Sequence, residues 1–410
     1  MAAVLTDRLG FPVAAASIWP GRGDPGRSNQ SAATGLGEVN HLDDLVRELT
    51  HLTTAAATPH SPIGGASGAD LTAVVLDQLH GAVLAARNRA GHEFVLSEQV
   101  DVIACHVAAL RRLDDRHGGG ALSVRYVTAE LRSVMDLVQH ANYGTSTGRR
   151  LLTIVADLAQ LLGWLHFDSS RYGASERYLL LSVGVCRTLG DQERSANAIG
   201  MLSYVSTFAG HGPEAVRLAE AAKSECRSGD LVLRAKLVGR EATAAAANGD
   251  LAQFRRCAEE AAEMLNHGQT RDRPSFLYYL SPMQLSAEAG QALVVLAERT
   301  TANRHRLLGE GIDLLSGAVA GMIAPGEGAA PAYARSGLLH STFLARAQLQ
   351  HGDVGEAIAT MRAGIGLLPL VQSPRGRHYL RGLRPALARR SRSPVVREFI
   401  PEFDAAVSSV

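Results

Sequence analysis

The chain has 410 residues, 41 basic and 40 acidic, and a net charge near +1 supplies no overall field to draw it to nucleic acid or an anionic membrane. Hydrophobic residues make up 46% but aromatics only 5%, which implies a core of Ala, Leu and Val suited to closely packed helices. The length fits roughly two to four domains or one long repeat array.

The chain opens with LTDRLGFPVAAASIWP over residues 5–20, which reads as the tail of a domain. A short polar helix, Leu5 to Leu9, stops at Gly10. Pro12 then extends the backbone, and Ile18 and Trp19 offer two apolar anchors. So short a piece cannot bury a core of its own. Residues 21–37 are a polar, Gly-rich linker. The segment HLDDLVRELTHLT predicts a helix with Leu42, Leu45, Val46 and Leu49 on one face, and the loose stretch TPHSPIGGASG follows it.

From Asp70 nearly everything reads as helix, beginning with ADLTAVVLDQLHGAVLAARNR. SEQVDVIACHVAALRRLDDRHGGG gives another helix, with Ser97 as its N-cap and three glycines as its stop. LSVRYVTAELRSVMDLVQHA gives a third, ending near Asn142 to Gly144. No stretch alternates apolar and polar residues, so the fold class is all-α. Asp114, Asp115, Arg116 and His117 suggest acid–base chemistry, but adjacent helical residues point about 100° apart and do not converge. They are read as a charged helix end, with His117 suiting the helix dipole.

A repeat follows. Four stretches, over residues 162–182, 202–222, 241–261 and 344–364, each read as a helix, a short turn and a second helix. Gly210, Gly249 and Gly352 occupy the same turn position, with Ala215, Phe254 and Ala357 five residues later. Small residues recur along the second helices at Ala219, Ala222, Ala258, Ala261 and Gly364, where they let paired helices approach closely. Residues 282–322 read as a further, degenerate pair. Ser175 and Phe254 depart from the usual pattern. The arrangement resembles the tetratricopeptide repeat, and implies an α-solenoid of antiparallel helix pairs whose first helices line a concave groove.

Mapping that groove onto the chain gives Asp157, Gln160, Trp164, Phe167 and Asp168 from the first unit, and Asn197, Tyr204, Thr207 and Phe208 from the second. Lys236 and Thr243 come from the third unit, Thr342 and Arg346 from the last. Trp164 and Tyr204 are the leading anchors; Trp164 is equally readable as core. The candidate ligand-binding set is Asp157, Gln160, Trp164, Asp168, Asn197, Tyr204, Lys236 and Arg346. The C-terminal segment RGRHYLRGLRPALARRSRSPVVR is basic and could touch phosphate. It is read as the solvated face of a capping helix, with Tyr379, Leu380, Leu383 and Leu387 turned inward.

Cys105, Cys186, Cys226 and Cys257 form no CxxC pair, and each sits in an apolar helical pattern, so buried free thiols are expected. No metal site, cofactor motif or catalytic signature is read: Walker A and HExxH patterns are missing, and no enzyme is expected. Neither a signal peptide nor an apolar run of membrane-helix length is found, which predicts a cytoplasmic protein without a membrane partner.

The order of these stretches resembles actinobacterial XRE-type transcriptional regulators, in which a helix-turn-helix domain precedes a long tetratricopeptide-like region. LTDRLGFPVAAASIWP is similar to the end of that DNA-binding domain. LRRLDDRHGGG, VRYVTAEL, the repeats and SPRGRHYLRGLRPAL are similar to successive parts of the helical region. The resemblance implies a remnant of the helix-turn-helix domain at 1–20, a flexible linker with one short helix at 21–69, an N-terminal helical region at 70–145, and repeats with a C-terminal cap at 146–410. It implies the signal-sensing part of a regulator, binding a peptide, a small molecule or a protein partner, and it allows for a homodimer. Since the recognition helix is missing from the sequence, DNA binding is expected only if a further N-terminal segment exists. Either the reading frame starts too late or this is a shortened paralogue. The alternative is a stand-alone protein–protein adaptor.

Overall fold

The computed structural model describes residues 42–56, 71, 88, 93–227, 229–268, 274–325 and 331–408. The tail at 1–20, the linker at 21–37 and nearly all of the helix predicted from Asp70 lie outside the described residues. The described chain is all-α, an α-solenoid of antiparallel helix pairs. Its one extended feature is an isolated bridge between Phe94 and Asn142.

Three N-terminal helices come first: α1 (Leu42–Ala56), α2 (Ser97–His117) and α3 (Ala121–His140). Five pairs follow: α4 (Thr145–Asp168) with α5 (Tyr172–Leu189), α6 (Gln192–Phe208) with α7 (Gly212–Glu225), α8 (Leu231–Asn248) with α9 (Leu251–His267), α10 (Pro282–Arg299) with α11 (Arg304–Ile323), and α12 (Ala334–His351) with α13 (Val354–Gly366). The C-terminus is three short helices rather than one: α14 (Pro374–Arg381), α15 (Arg384–Ala388) and α16 (Pro394–Ser408). Leu380, Leu383 and Leu387 do turn inward, together with Phe399 and Phe403.

Local chemistry explains the repeat. Gly210, Gly249 and Gly352 all have positive φ, at +88°, +83° and +111°. In the first pair Ser170, at φ +57°, takes the glycine's place. Asp residues restart the chain after several turns: Asp191, Asp230 and Asp250 each accept a hydrogen bond from the backbone N–H three residues on. Ala219, Ala222 and Ala261 are fully buried between helices, as their small size predicts. At α2 the helix starts differently from the sequence reading. Leu96 is the capping position, its N–H given to the Gln99 side chain at 2.8 Å, while Ser97 is the first helical residue and accepts from Arg150.

Two expectations are corrected. Cys105 is exposed, and Cys226 is only half-buried because it lies just past the end of α7, at its C-cap; Cys186 and Cys257 are buried as expected. Moreover, α4 is by length and composition apolar enough to cross a membrane, yet 78% of its apolar window is buried inside the fold, as befits a central helix packed on two sides. The helix α1 is docked rather than loose: Leu45, Val46, Leu49 and Leu52 are buried, Glu48 pairs with Arg177, and Arg132 donates to the Thr53 carbonyl.

The solenoid curls until its two ends meet. The C-terminal turn before α14 seats on the glycines after α2: Gln372 N–H donates to the His117 carbonyl at 2.6 Å, and His117 Nδ1 lies 2.8 Å from the Leu370 carbonyl. A Cβ at Gly118 would meet Ser373 Cβ at 3.0 Å, one at Gly119 the Leu165 side chain at 3.0 Å, and one at Gly120 the Gln372 side chain at 2.7 Å. The triple glycine therefore ends a helix and also admits the far end of the chain.

Gly249 isolates the backbone requirement of a repeat turn, since an added Cβ there meets open space. Gly249→Val is expected to lose about 1–3 kcal/mol of stability through the left-handed φ alone, and Gly249→Asn less. Urea unfolding of the two variants checks this ordering.

Candidate functional site

Each first helix presents residues one turn apart to the inside of the curl, because positions three or four apart share a helix face. From α4 come Gln160 and Trp164, from α6 Asn197, Met201 and Tyr204, from α8 Lys236 and Arg240, and from α10 Gln284 and Glu288. Arg335, Ser336 and His340 of α12 and Arg111, Asp114 and Asp115 of α2 complete the wall. The segment between α9 and α10, which contains the short 3₁₀ turn Ser275–Leu277, folds inward and plugs the mouth with Phe276, Tyr278 and Tyr279. What remains is a polar cavity of about 80 Å³.

Five of the eight sequence-named residues meet there: Gln160, Trp164, Asn197, Tyr204 and Lys236. The other three do not line it. Asp157 sits one turn along α4 in a neighbouring pocket, bridging Arg111 at 3.0 Å and Arg194 at 3.1 Å. Asp168 is fully buried at the seam, where it accepts from Ser373 Oγ at 2.8 Å and Gly119 N–H at 3.3 Å and pairs with Arg375 at 3.5 Å. Arg346 lies three turns past Arg335 on α12. It pairs with Glu298 in a separate open cleft of about 1290 Å³ lined by Arg304, Arg389 and Arg390. Of the remaining groove positions, Phe167 and Phe208 pack in an aromatic cluster around Tyr204, and Thr342 lines the open cleft. Thr207 and Thr243 turn their hydroxyls back onto the preceding helical turn.

Trp164 answers to both readings of it. It stacks on Tyr204 with ring centroids 6.1 Å apart, and packs on the core, while the Arg335 and Arg375 guanidiniums lie 5.2 and 5.3 Å from its ring. Arg240 covers the other aromatic anchor, 4.1 Å from the Tyr204 ring.

The acid pair read as a charged helix end lies instead in the wall. Asp114 is buried, and Tyr278 donates its hydroxyl to Asp115. Arg335 reaches across from α12 to both carboxylates, at 3.4 Å and 3.3 Å, and donates to the Asp114 backbone carbonyl at 3.1 Å. Helical geometry keeps neighbouring side chains from converging on each other, but a long arginine from another helix spans both. Similarly, Arg375 in the supposedly solvated C-terminal face is 2% exposed and lies 4.3 Å from the Phe167 ring. No local signal distinguished Arg240, Glu288, Arg335 or Arg375 from surface charges.

Burial dominates the electrostatics. It pushes the Asp114 carboxyl up to about 7 against the pull of Arg335, and lowers His340 to about 4, so that imidazole is neutral at pH 7. Lys236 is driven well below its ordinary value, first by burial and then by the neighbouring Arg240. The phenol of Tyr279 rises to about 12. Glu288 is held by Arg240 at 3.1 and 3.3 Å and by the Gln284 amide at 3.0 Å. Asp114 Oδ1, His340 Nδ1 and Arg240 Nε are buried without a hydrogen-bond partner among the described residues. Among those residues no group of three or more His, Cys, Asp and Glu is placed to hold a metal ion. The arrangement can bind a small polar guest and offers it both donors and acceptors.

Two outcomes are expected at the seam. Arg335→Met strands buried carboxylates and should cost about 3–5 kcal/mol, with an increased radius of gyration in small-angle scattering. Asp114 keeps its proton in the folded chain up to about pH 7 but loses it near 3.8 when unfolded. Its contribution is thus fully present at low pH and is lost as pH rises towards 7. Across pH 5 to 7, urea unfolding should show the wild type losing stability relative to Asp114→Asn by up to about 1.4 kcal/mol per pH unit. The difference should level off above pH 7.

No protein-family model matches the chain, and no curated protein matches it either.

Proposed function

We propose that this chain is the signal-sensing part of a transcriptional regulator of the XRE type, its tetratricopeptide-like solenoid binding a small ligand in the central cavity. The observation that carries the reading is the polar cavity inside the curl, where residues from seven helices converge with buried polar atoms left unpartnered. A void of this size has room for a small molecule and not for a peptide. Its wall includes Arg335, which ties α12 to α2, so a guest would bear on the contact that closes the solenoid. A ligand that binds the closed and open forms with different affinity shifts their balance, and that shift is the signal passed to an attached DNA-binding domain or a partner subunit.

A stand-alone adaptor is the second reading. It is favoured by the exposed apolar side chains Val102, Leu122 and Tyr126 on α2 and α3, which suit a protein partner.

Thermal unfolding against a library of small metabolites tests the sensor reading. A hit should raise the melting temperature of the wild type, lose that effect in Gln160→Leu, and change the radius of gyration. If hits act equally on Gln160→Leu, or none is found while a protein partner is captured through α2 and α3, the adaptor reading replaces it.

A further inference from the structure

We propose that the cavity takes a small organic monocarboxylate, whose carboxylate pairs with Lys236. This deepens the ligand-sensing reading and rests on it. The cations of the wall form an orderly set. Arg111 pairs with Asp157, Arg240 with Glu288, Arg335 with Asp114 and Asp115, and Arg375 with Asp168. Lys236 breaks the pattern. Its Nζ donates to the Asn197 amide oxygen at 2.5 Å and lies 5.5 Å from the Tyr279 ring, with no carboxylate oxygen of the described residues within 4 Å. The residue is only 3% exposed, so water does not make up the deficit. Burial without a carboxylate disfavours the protonated form of this amine, and an anion beside it would restore the ammonium charge.

The wall also holds donors suited to a planar two-oxygen acceptor. The Gln160 amide N–H is spent on the thioether of Met201 at 2.9 Å, a weak acceptor that a carboxylate oxygen would outcompete. Tyr279 keeps its phenolic proton because burial raises its pKa to about 12, against the pull of the Arg240 guanidinium bonded to its oxygen. One carboxylate suffices to give Lys236 the partner that each arginine of the wall already has; a dianion such as phosphate would bury a second negative charge beside the five carboxylates of these pairs. The volume of about 80 Å³ admits only a handful of non-hydrogen atoms, and the Trp164 and Tyr204 rings offer an apolar side for a short carbon skeleton.

Isothermal titration of the full chain with propionate and lactate, and with their neutral amides, at constant ionic strength provides the test. The expected result is that at least one acid binds and its amide binds at least tenfold more weakly. Lys236→Met should lose at least tenfold in affinity for the acid while keeping or raising the melting temperature. Tyr279→Phe should weaken the acid several-fold, and serves if Lys236→Met does not fold. Equal binding of acid and amide, unchanged affinity in Lys236→Met, or no binding by either acid would overturn the proposal. Should the acids fail while library hits still act through Gln160, the ligand class is wrong and the sensor reading survives. Should both fail, both readings fall.

Discussion

Everything inside the curl depends on the seam between the two ends of the solenoid. Asp168, at the last turn of α4, takes a hydroxyl from Ser373, a backbone N–H from Gly119 and the charge of Arg375. Arg335 makes the companion link to Asp114 and Asp115. Both links need the chain after α13 to lie directly on the backbone after α2, and three successive glycines permit that approach. A helical repeat array is ordinarily open, each unit touching only its neighbours. Here contacts between residues more than 200 positions apart turn it into a closed body.

Closure changes the meaning of the concave face. An open groove of this register would present Trp164, Tyr204 and their neighbours to a peptide. The closed form buries them, adds Tyr278 and Tyr279 as a plug, and leaves room for a small guest only. Burial also makes the charges interdependent. Each guanidinium in the wall has a carboxylate to hold it, in keeping with the cost of an unpaired buried charge. The exception, Lys236, has only an amide oxygen and an aromatic face. In a wall otherwise so consistently matched, the amine without a carboxylate is the feature from which the ligand proposal starts.

The open cleft beside α12 contrasts with this interior. It is larger, and its Arg346, Arg304 and Arg390 are engaged by Glu298, Gln350 and a backbone carbonyl near its rim. Arg346 belongs to that outer surface because α12 is long enough to pass from the cavity to the outside along its own axis.

The all-α class, the helix pairs and the turn glycines were all legible in the sequence, because they rest on local chemistry: a 3.6-residue apolar period and a left-handed φ that suits glycine. The same periodicity was enough to place Gln160, Trp164, Asn197, Tyr204 and Lys236 on the inner face. Tertiary structure alone decided that Asp114 and Asp115 face inward, that Arg375 is buried, and that Asp168 serves the seam rather than the groove. Those outcomes depend on residues brought together from opposite ends of the chain. A charged side chain's fate follows from the partner that covers it, and periodicity carries no record of that partner.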